Sequence, residues 1–437
     1  MNSVVSQKLK NTSPFLLFLP FLLLYIVIIL LFHPHQIADD EIRYTGYAHN
    51  LLHGYYSEPP PNVAIINGPG YPIVLMPFVA INAPIVWMVL LNAIFYYISV
   101  VYLFKALRQI ASFGIAFAFS LFWACYYNSF QDMLNAFTES LTCMIISLLL
   151  YFLTHLFFNQ KTPKKKYLYF AGISLGYLVL TKIIFGYVLL ILLIASFILW
   201  LLKRQSVILK RNLLFLLIAF ATITPYLAYT FSLTGEIFYL GNPGADALYW
   251  MSSPYETEFG DWRGFPKEQQ GVDPYRVPYY QDSLTAHHKL NFEIAHQFDG
   301  ARQDSVYTKM AKDNIKAHPS KFIQNWISNV GRILFSFPNS YTLQNNKTLF
   351  RLPLNGIIVV LSLFCIIPTL LNWRNVNFMV RLLLFFTLIY LGGSSLVSGL
   401  TRMFTIVVPI LLFWMAFILP RTLSINWRFN KNQTPPL

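Results

Sequence analysis

Hydrophobic positions along the chain gather into ten runs, at about 14–32, 84–107, 112–128, 139–158, 167–182, 184–202, 212–232, 353–371, 378–393 and 403–420. A hydrocarbon core of roughly 30 Å is crossed by about 20 apolar residues of helix. The pattern therefore predicts an all-α polytopic membrane protein, a bundle of about ten transmembrane helices. The polar positions between the runs set its sidedness. With the N-terminus inside, the inner connections hold Lys105 and Arg108; Lys161, Lys164, Lys165 and Lys166; Lys203, Arg204, Lys210 and Arg211; and Arg374. Lys8 and Lys10 precede the first run, and Arg421, Arg428 and Lys431 follow the last, whereas the outer turn 129–138 has no Lys or Arg. This is the positive-inside asymmetry, and it supports an even number of spans. The first run is longer than a usual signal-peptide core and lacks a small-x-small cleavage site, so it reads as a retained anchor.

Two shorter patterns fall outside the runs. Tyr44, Tyr47, Ala48, Leu51, Leu52 and Tyr55 recur at helical spacing, predicting an amphipathic helix on the membrane surface with Asp40 at the head of its membrane-facing line. Asp39 and Arg43, four apart, are placed to pair. Phe322, Ile323, Trp326, Ile327, Val330, Ile333 and Leu334 predict a second interfacial helix at 320–335. The remainder of 233–352 is rich in Tyr, Pro and Gly and yields no element. Three regions follow: 1–232, membrane-embedded, with an outer loop at 33–83; 233–352, an extracytoplasmic loop; and 353–437, membrane-embedded with a basic cytoplasmic tail.

Composition agrees. Of 437 residues 56% are hydrophobic and only 11% charged, against about 25% charged in soluble domains. The net charge of +14 is explained by the inner connections and does not call for nucleic acid. Cys125, Cys143 and Cys365 all lie in apolar runs, so they read as core residues rather than a disulfide framework. No repeat, Gly-rich phosphate loop, Cys-x-x-Cys pair or Ser/His/Asp arrangement stands out. His33 and His35 precede the first acids, and His49 and His53 are four apart, a spacing that can bind zinc. No complete ligand set is legible, so no cofactor is firmly implied and a catalytic divalent metal stays a secondary reading.

The densest chemistry is Asp39-Asp40-Glu41-Ile42-Arg43-Tyr44, where the chain leaves its first span. Carboxylates beside lipid head groups suit a reaction on a lipid-borne substrate; helix capping is the plain alternative. Glu139, at the outer end of an apolar run, is a membrane acid and so a functional candidate, with helix capping by Thr138 or Glu139 as its alternative.

The pattern Asp40-Glu41-x-Arg43-Tyr44, then Ala48, Leu51, Gly54 and Asn67-Gly68-Pro69-Gly70-Tyr71-Pro72, resembles the first outer loop of membrane glycosyltransferases with the GT-C fold. The likeness is to the protein mannosyltransferase and lipid A aminoarabinose transferase group. Thr138-Glu139-Ser140, His318-Pro319, and Arg402-Met403-Phe404 with Pro409 agree with it. The resemblance implies a polyprenyl-phosphate sugar donor, a lipid, glycan or protein acceptor, inversion at the anomeric carbon, and Asp40 as the essential residue. It implies Asp40 and Glu41 in catalysis, and Arg43, Tyr44, Glu139, Lys182 and Arg402 around the substrate. Arg402, opening the last span, is the favoured phosphate partner; Lys182-Ile183 departs from the Arg-Pro pair usual in the group. The implied setting is a bacterial inner membrane with the site on its periplasmic face. The competing reading is a polytopic transporter or lipid flippase, which tends to place ionisable residues at the bilayer midplane.

Overall fold

A computed structural model describes residues 10–34, 39–60, 63–158, 164–202, 206–241, 244–262, 278–298, 300–339 and 346–422. Of the residues named above, Lys8, His35, Lys161, Lys203, Arg204, Arg428 and Lys431 lie outside the described residues. The described residues are helical with no strand. The first half of the chain forms α1 (Pro14–Phe32), α2 (Asp39–Leu52), α3 (Gly70–Ala80), α4 (Ile85–Leu107), α5 (Phe113–Ala124), α6 (Tyr127–Met133), α7 (Glu139–Phe157), α8 (Lys165–Thr181), α9 (Ile184–Leu202) and α10 (Val207–Thr234). Then come α11 (Ala245–Met251), α12 (Pro278–Ala295), α13 (Gly300–Ala317), α14 (Pro319–Phe335), α15 (Asn346–Leu371), α16 (Phe378–Ser395) and α17 (Thr401–Thr422).

All ten apolar runs are helical, and eight of these helices (α1, α4, α7, α9, α10, α15, α16 and α17) are long and apolar enough to cross a membrane. The chain is an integral membrane protein. The other two runs fall short for visible reasons. α5 stops at 12 residues because Tyr126 takes an extended backbone, and its phenol, with Asn128, turns inward onto Asn355 of α15. α8 has 17 residues, opens on Lys165 and Lys166, and ends where Lys182 leaves helical geometry.

α17 is the centre of the bundle. Its most apolar stretch is 83% buried, against 17% for α1, which turns Leu16, Leu23, Leu30 and Phe32 outward to lipid. α4 and α7 pack along each other and α7 packs on α17. Small residues bring α8 onto α10: a Cβ on Gly172 would lie 2.5 Å from Ile218, and one on Gly176 2.5 Å from Thr222, the close approach that small-xxx-small spacing permits. Basic residues collect at one end of the bundle. Lys105 lies over Phe15, Tyr102 and Tyr151, and Arg211 donates to the Leu156 carbonyl at the end of α7.

The acids and the outer segment sit at the opposite end. Segment 233–352, where the sequence yielded only one helix, holds α11 to α14 and its own aromatic cluster of Tyr249, Trp250, Phe292 and Tyr307. α14 is amphipathic as expected, with Ile323, Trp326 and Ile327 exposed. Its inner face is polar: Asn325, Asn329 and Arg332 are buried. α2 corrects an expectation. Tyr44, Tyr47 and Ala48 do not face the membrane; they are buried against the protein, Tyr44 edge-on to Tyr71 at 5.2 Å and Tyr47 stacked on Tyr56 at 4.5 Å. The Asn67 loop and α3 cover that stripe, and Ile42 points outward instead.

Candidate active site

Five charged side chains from four separate segments meet at the non-basic end of the bundle. Arg402, in the first turn of α17, donates from Nη1 to Asp40 Oδ2 at 2.9 Å. Its Nε lies 3.8 Å from Glu139 Oε1. Lys182, just past α8, donates to the same Glu139 oxygen at 2.8 Å. Arg43 pairs with the other oxygen of Asp40. Asp40, Arg43, Glu139, Lys182 and Arg402, all read from the sequence, thus form one ion-paired network. Three cations against two acids leave one surplus positive charge in it.

Local structure explains each position. α2 follows α1 after a short connection, and Asp40 and Arg43, three apart, share a face. Arg43 therefore pairs with Asp40, where the sequence reading paired it with Asp39. Asn67 fixes Arg43: its Oδ1 accepts from Arg43 Nε at 2.7 Å, and its Nδ2 donates to the Tyr44 hydroxyl at 3.3 Å. Asn67 is held by the glycines that follow. A Cβ on Gly68 would stand 2.1 Å from the Leu180 carbonyl oxygen, and one on Gly70 2.6 Å from Thr181 Oγ1. The first outer loop is thereby pressed onto the last turn of α8, beside Lys182.

The loop from α6 to α7 is held from two sides. Asn92 donates to the Asn135 carbonyl at 2.6 Å, and Glu41 Oε1 accepts the Ala136 N–H at 2.6 Å. Glu41 is 1% exposed, so it is no solvated helix acid. The loop delivers Phe137, whose ring lies 5.4 Å from the Arg402 guanidinium, and Glu139. Thr138 makes no side-chain cap, and Glu139 reaches Lys182 and Arg402 instead. At the far side, α14 secures the start of α17: Asn329 donates to the Ser395 carbonyl at 3.1 Å, and Thr401 donates to the Arg332 carbonyl at 3.2 Å.

Electrostatics separates the acids. Burial pushes the Asp40 carboxyl up, but Arg402 and then Arg43 pull it down further, so it lies below the usual carboxylate range and is ionised. Asp132, at the end of α6, was missed from sequence. Burial first and Glu139 second push it up to about 7, against Arg402, Arg351 and Lys182. The signal available was a lone acid in the otherwise uncharged turn 129–138. Asp132 Oδ2 and Glu139 Oε2 are buried without a hydrogen-bond partner. Such acceptors cost about 1–3 kcal/mol each when left unmade, which marks a place for ligand donors. Tyr44, buried beneath the network, forms its wall, and burial pushes its phenol up.

His33 Nδ1 contacts the Leu134 carbonyl at 2.9 Å, fixing the end of α1, and His49 and His53 stack ring to ring at 4.5 Å on the exposed side of α2. Among the described residues, one group of three potential metal ligands exists elsewhere: Glu258, His287 and His288.

Similarities to known proteins are distant. No protein-family model matches the sequence, and no curated protein matches it. Among solved structures, the chain is similar to ArnT from Cupriavidus metallidurans bound to undecaprenyl phosphate, at 13% identity over 92% of this chain and 77% of that one, with a TM-score of 0.42. It is also similar to an Archaeoglobus fulgidus oligosaccharyltransferase tethered with an acceptor peptide, at 12% identity over 92% and 49% of the two chains, TM-score 0.45. A third likeness is to the S. cerevisiae protein O-mannosyltransferase Pmt1-Pmt2 complex bound to the sugar donor, at 15% identity over 55% of this chain, TM-score 0.41. The chain spans 36% of that protein's length. Scores this low leave the assignment of activity to the site itself.

Proposed function

We propose that the protein is a membrane glycosyltransferase moving a sugar from a polyprenyl-phosphate donor to an acceptor hydroxyl, with inversion. The observation that carries this reading is the convergence of Asp40 with Arg402 and Lys182 at one end of the bundle. A lipid-borne phosphate arriving at the membrane surface meets a guanidinium at the N-terminus of α17, where helix dipole and charge both favour an anion. Without an anion, an arginine in that position opposes the dipole and relies on Asp40 and Glu139.

The acceptor oxygen attacks the anomeric carbon and forms the new C–O bond as the bond to the phosphate oxygen breaks. Its proton passes to Asp40, general-base catalysis worth about 10²–10⁴-fold. The departing polyprenyl phosphate keeps the bonding pair, and Arg402 and Lys182 meet its charge. Donor binding draws Arg402 from Asp40 toward phosphate. Losing that cation raises the basicity of Asp40 at the moment a base is required. Asp132 and Glu139 offer their unpartnered oxygens to sugar hydroxyls, and Arg43 with Asn67 keeps Asp40 aimed. Glu41 acts through the loop it holds.

The positive-inside pattern supports an extracytoplasmic setting for this end of the bundle, which in a bacterium is the periplasmic face of the inner membrane. A flippase is the competing reading; the ion pairs gather at one end rather than at the midplane, which favours transfer. The deciding experiment supplies purified protein in detergent with a labelled polyprenyl-phosphate sugar and candidate acceptors. Formation of a glycosylated acceptor supports the reading. Movement of the lipid across reconstituted vesicles with no transfer to any acceptor overturns it.

A further inference from the structure

The outer segment holds a second cluster that the transfer reaction does not use. Glu258, from the loop after α11, meets His287 and His288 of α12. His287 Nδ1 lies 2.8 Å from Glu258 Oε1, and His288 Nε2 lies 3.1 and 2.9 Å from the two carboxylate oxygens. The donor atoms of the three all lie within 4.8 Å of one another. Glu258 and His288 are buried and His287 is half-buried, so His287 is the most solvent-accessible member of the cluster.

We infer that Glu258, His287 and His288 form a zinc site that fastens α12 to the loop beneath it. Two imidazoles and one carboxylate are a donor set suited to Zn²⁺ rather than to Ca²⁺ or Mg²⁺, and three protein ligands leave a fourth position for water. Tetrahedral ligands about 2.0 Å from zinc stand roughly 3.3 Å apart. The His287 and His288 contacts with Glu258, at 2.8 and 2.9 Å, therefore need to open by only a few tenths of an ångström.

The surroundings orient the ligands as a zinc site requires. The other ring nitrogen of His288, Nδ1, lies 2.7 Å from the Tyr249 hydroxyl, which also accepts from Asn291 Nδ2 at 2.9 Å. With Nε2 on zinc, Nδ1–H donates to the Tyr249 oxygen, fixing ring and tautomer. Tyr255 stacks on His287 with ring centroids 3.6 Å apart and donates to the His287 carbonyl at 3.2 Å. Ser253 donates to Glu258 Oε2. Lys321 is occupied by the Glu258 carbonyl and by Asn325 Oδ1, which links the site to α14 and through it to the start of α17.

The test is a Zn²⁺ titration of the full-length protein, stripped with a chelator in detergent and set against a chromophoric competitor. One tight equivalent is expected, with a zinc-dependent rise in Tm. Removing an outer-sphere partner of a metal ligand typically costs 10–100-fold in affinity, so His287→Ala and Glu258→Gln are each expected to weaken the tight equivalent by about 100-fold or more. The paired substitution His49→Ala with His53→Ala, at the end of α2, is expected to leave it unchanged. His287 is half-buried, so its variant tests binding without opening the core. The inference is overturned if the wild type binds no tight equivalent, if His287→Ala binds as tightly as wild type, or if the His49 and His53 substitutions abolish the binding.

Discussion

Replacing Arg402 separates its charge from its shape. The guanidinium works in two directions at once, with Nη1 on Asp40 at 2.9 Å and Nε 3.8 Å from Glu139, while Phe137 lies 5.4 Å from its centre. A lysine ammonium is a point charge on a flexible stem and cannot serve both acids in that way. Arg402→Ala removes the charge altogether and leaves Glu139, whose side chain is 2% exposed, with Lys182 as its remaining ion-pair partner. Truncating one member of a buried pair costs about 3–5 kcal/mol. Arg402 is itself 30% exposed, so the lower end, about 3 kcal/mol, is the expected loss of stability. On the reaction, losing one stabiliser of developing charge costs about 10²–10³-fold in turnover. Arg402→Lys is expected to keep part of the activity, because the charge survives and the two-sided geometry does not. Labelled-sugar transfer by protein purified in detergent measures both variants, with Tm recorded beside the rate. Wild-type rates for both variants would remove Arg402 from the site.

Three further outcomes follow from the same geometry. Gly68→Ala forces a methyl into the Leu180 carbonyl, so it is expected to lower stability by about 1–3 kcal/mol and to reduce turnover by shifting Asn67, whereas Gly46→Ala, with open space around it, should do neither in thermal melts and transfer assays. Because Asp132 is pushed up to about 7, a new negative charge joins the cluster as pH rises through that value; the donor KM should climb severalfold across it and stay level in Asp132→Asn. Its sign for stability is also fixed: the folded state holds that proton where the unfolded chain has lost it, so stability falls from about pH 4 to about 7, and Asp132→Asn flattens the slope. Single cysteines placed at 260–300 should react with an outside-added impermeant thiol reagent and those at 161–166 should not; the reverse order would move the proposed site to the other face.

The five ion-paired residues were legible because charge at the mouth of an apolar run is conspicuous: Asp40 and Arg43 after α1, Glu139 opening α7, Lys182 closing α8, Arg402 opening α17. The neutral groups that aim them were not. Asn67 was visible only as part of a motif, and its hold on Arg43 depends on a loop pressed against α8. Asn92 and the Ala136 N–H carry no pattern at all, since their partners lie about forty and ninety residues away in sequence. Periodicity found α2 and α14 and misjudged what α2 faces. An apolar stripe goes toward lipid or toward protein with the same spacing, and in α2 the Asn67 loop covers it. In α14 the informative residues were the polar ones: Asn329, with Trp326, seats the helix on the end of α16, and Asn325 holds the Met251 and Ser253 carbonyls at the end of α11. Glu258 and His287 are 29 residues apart on a stretch with no clear period, so only the fold joins them.

The most direct test of the account is Asp40→Asn, assayed for both donor binding and sugar transfer. An amide keeps the size of the carboxylate but takes no proton at neutral pH, so turnover should fall by about 10²–10⁴-fold. Donor affinity should hold or tighten, because Arg402 is released from the 2.9 Å pair that now engages it and is free for phosphate. Asp39→Asn should lose far less. Wild-type turnover in Asp40→Asn, or a dead Asp39→Asn beside an active Asp40→Asn, would contradict Asp40 as the base.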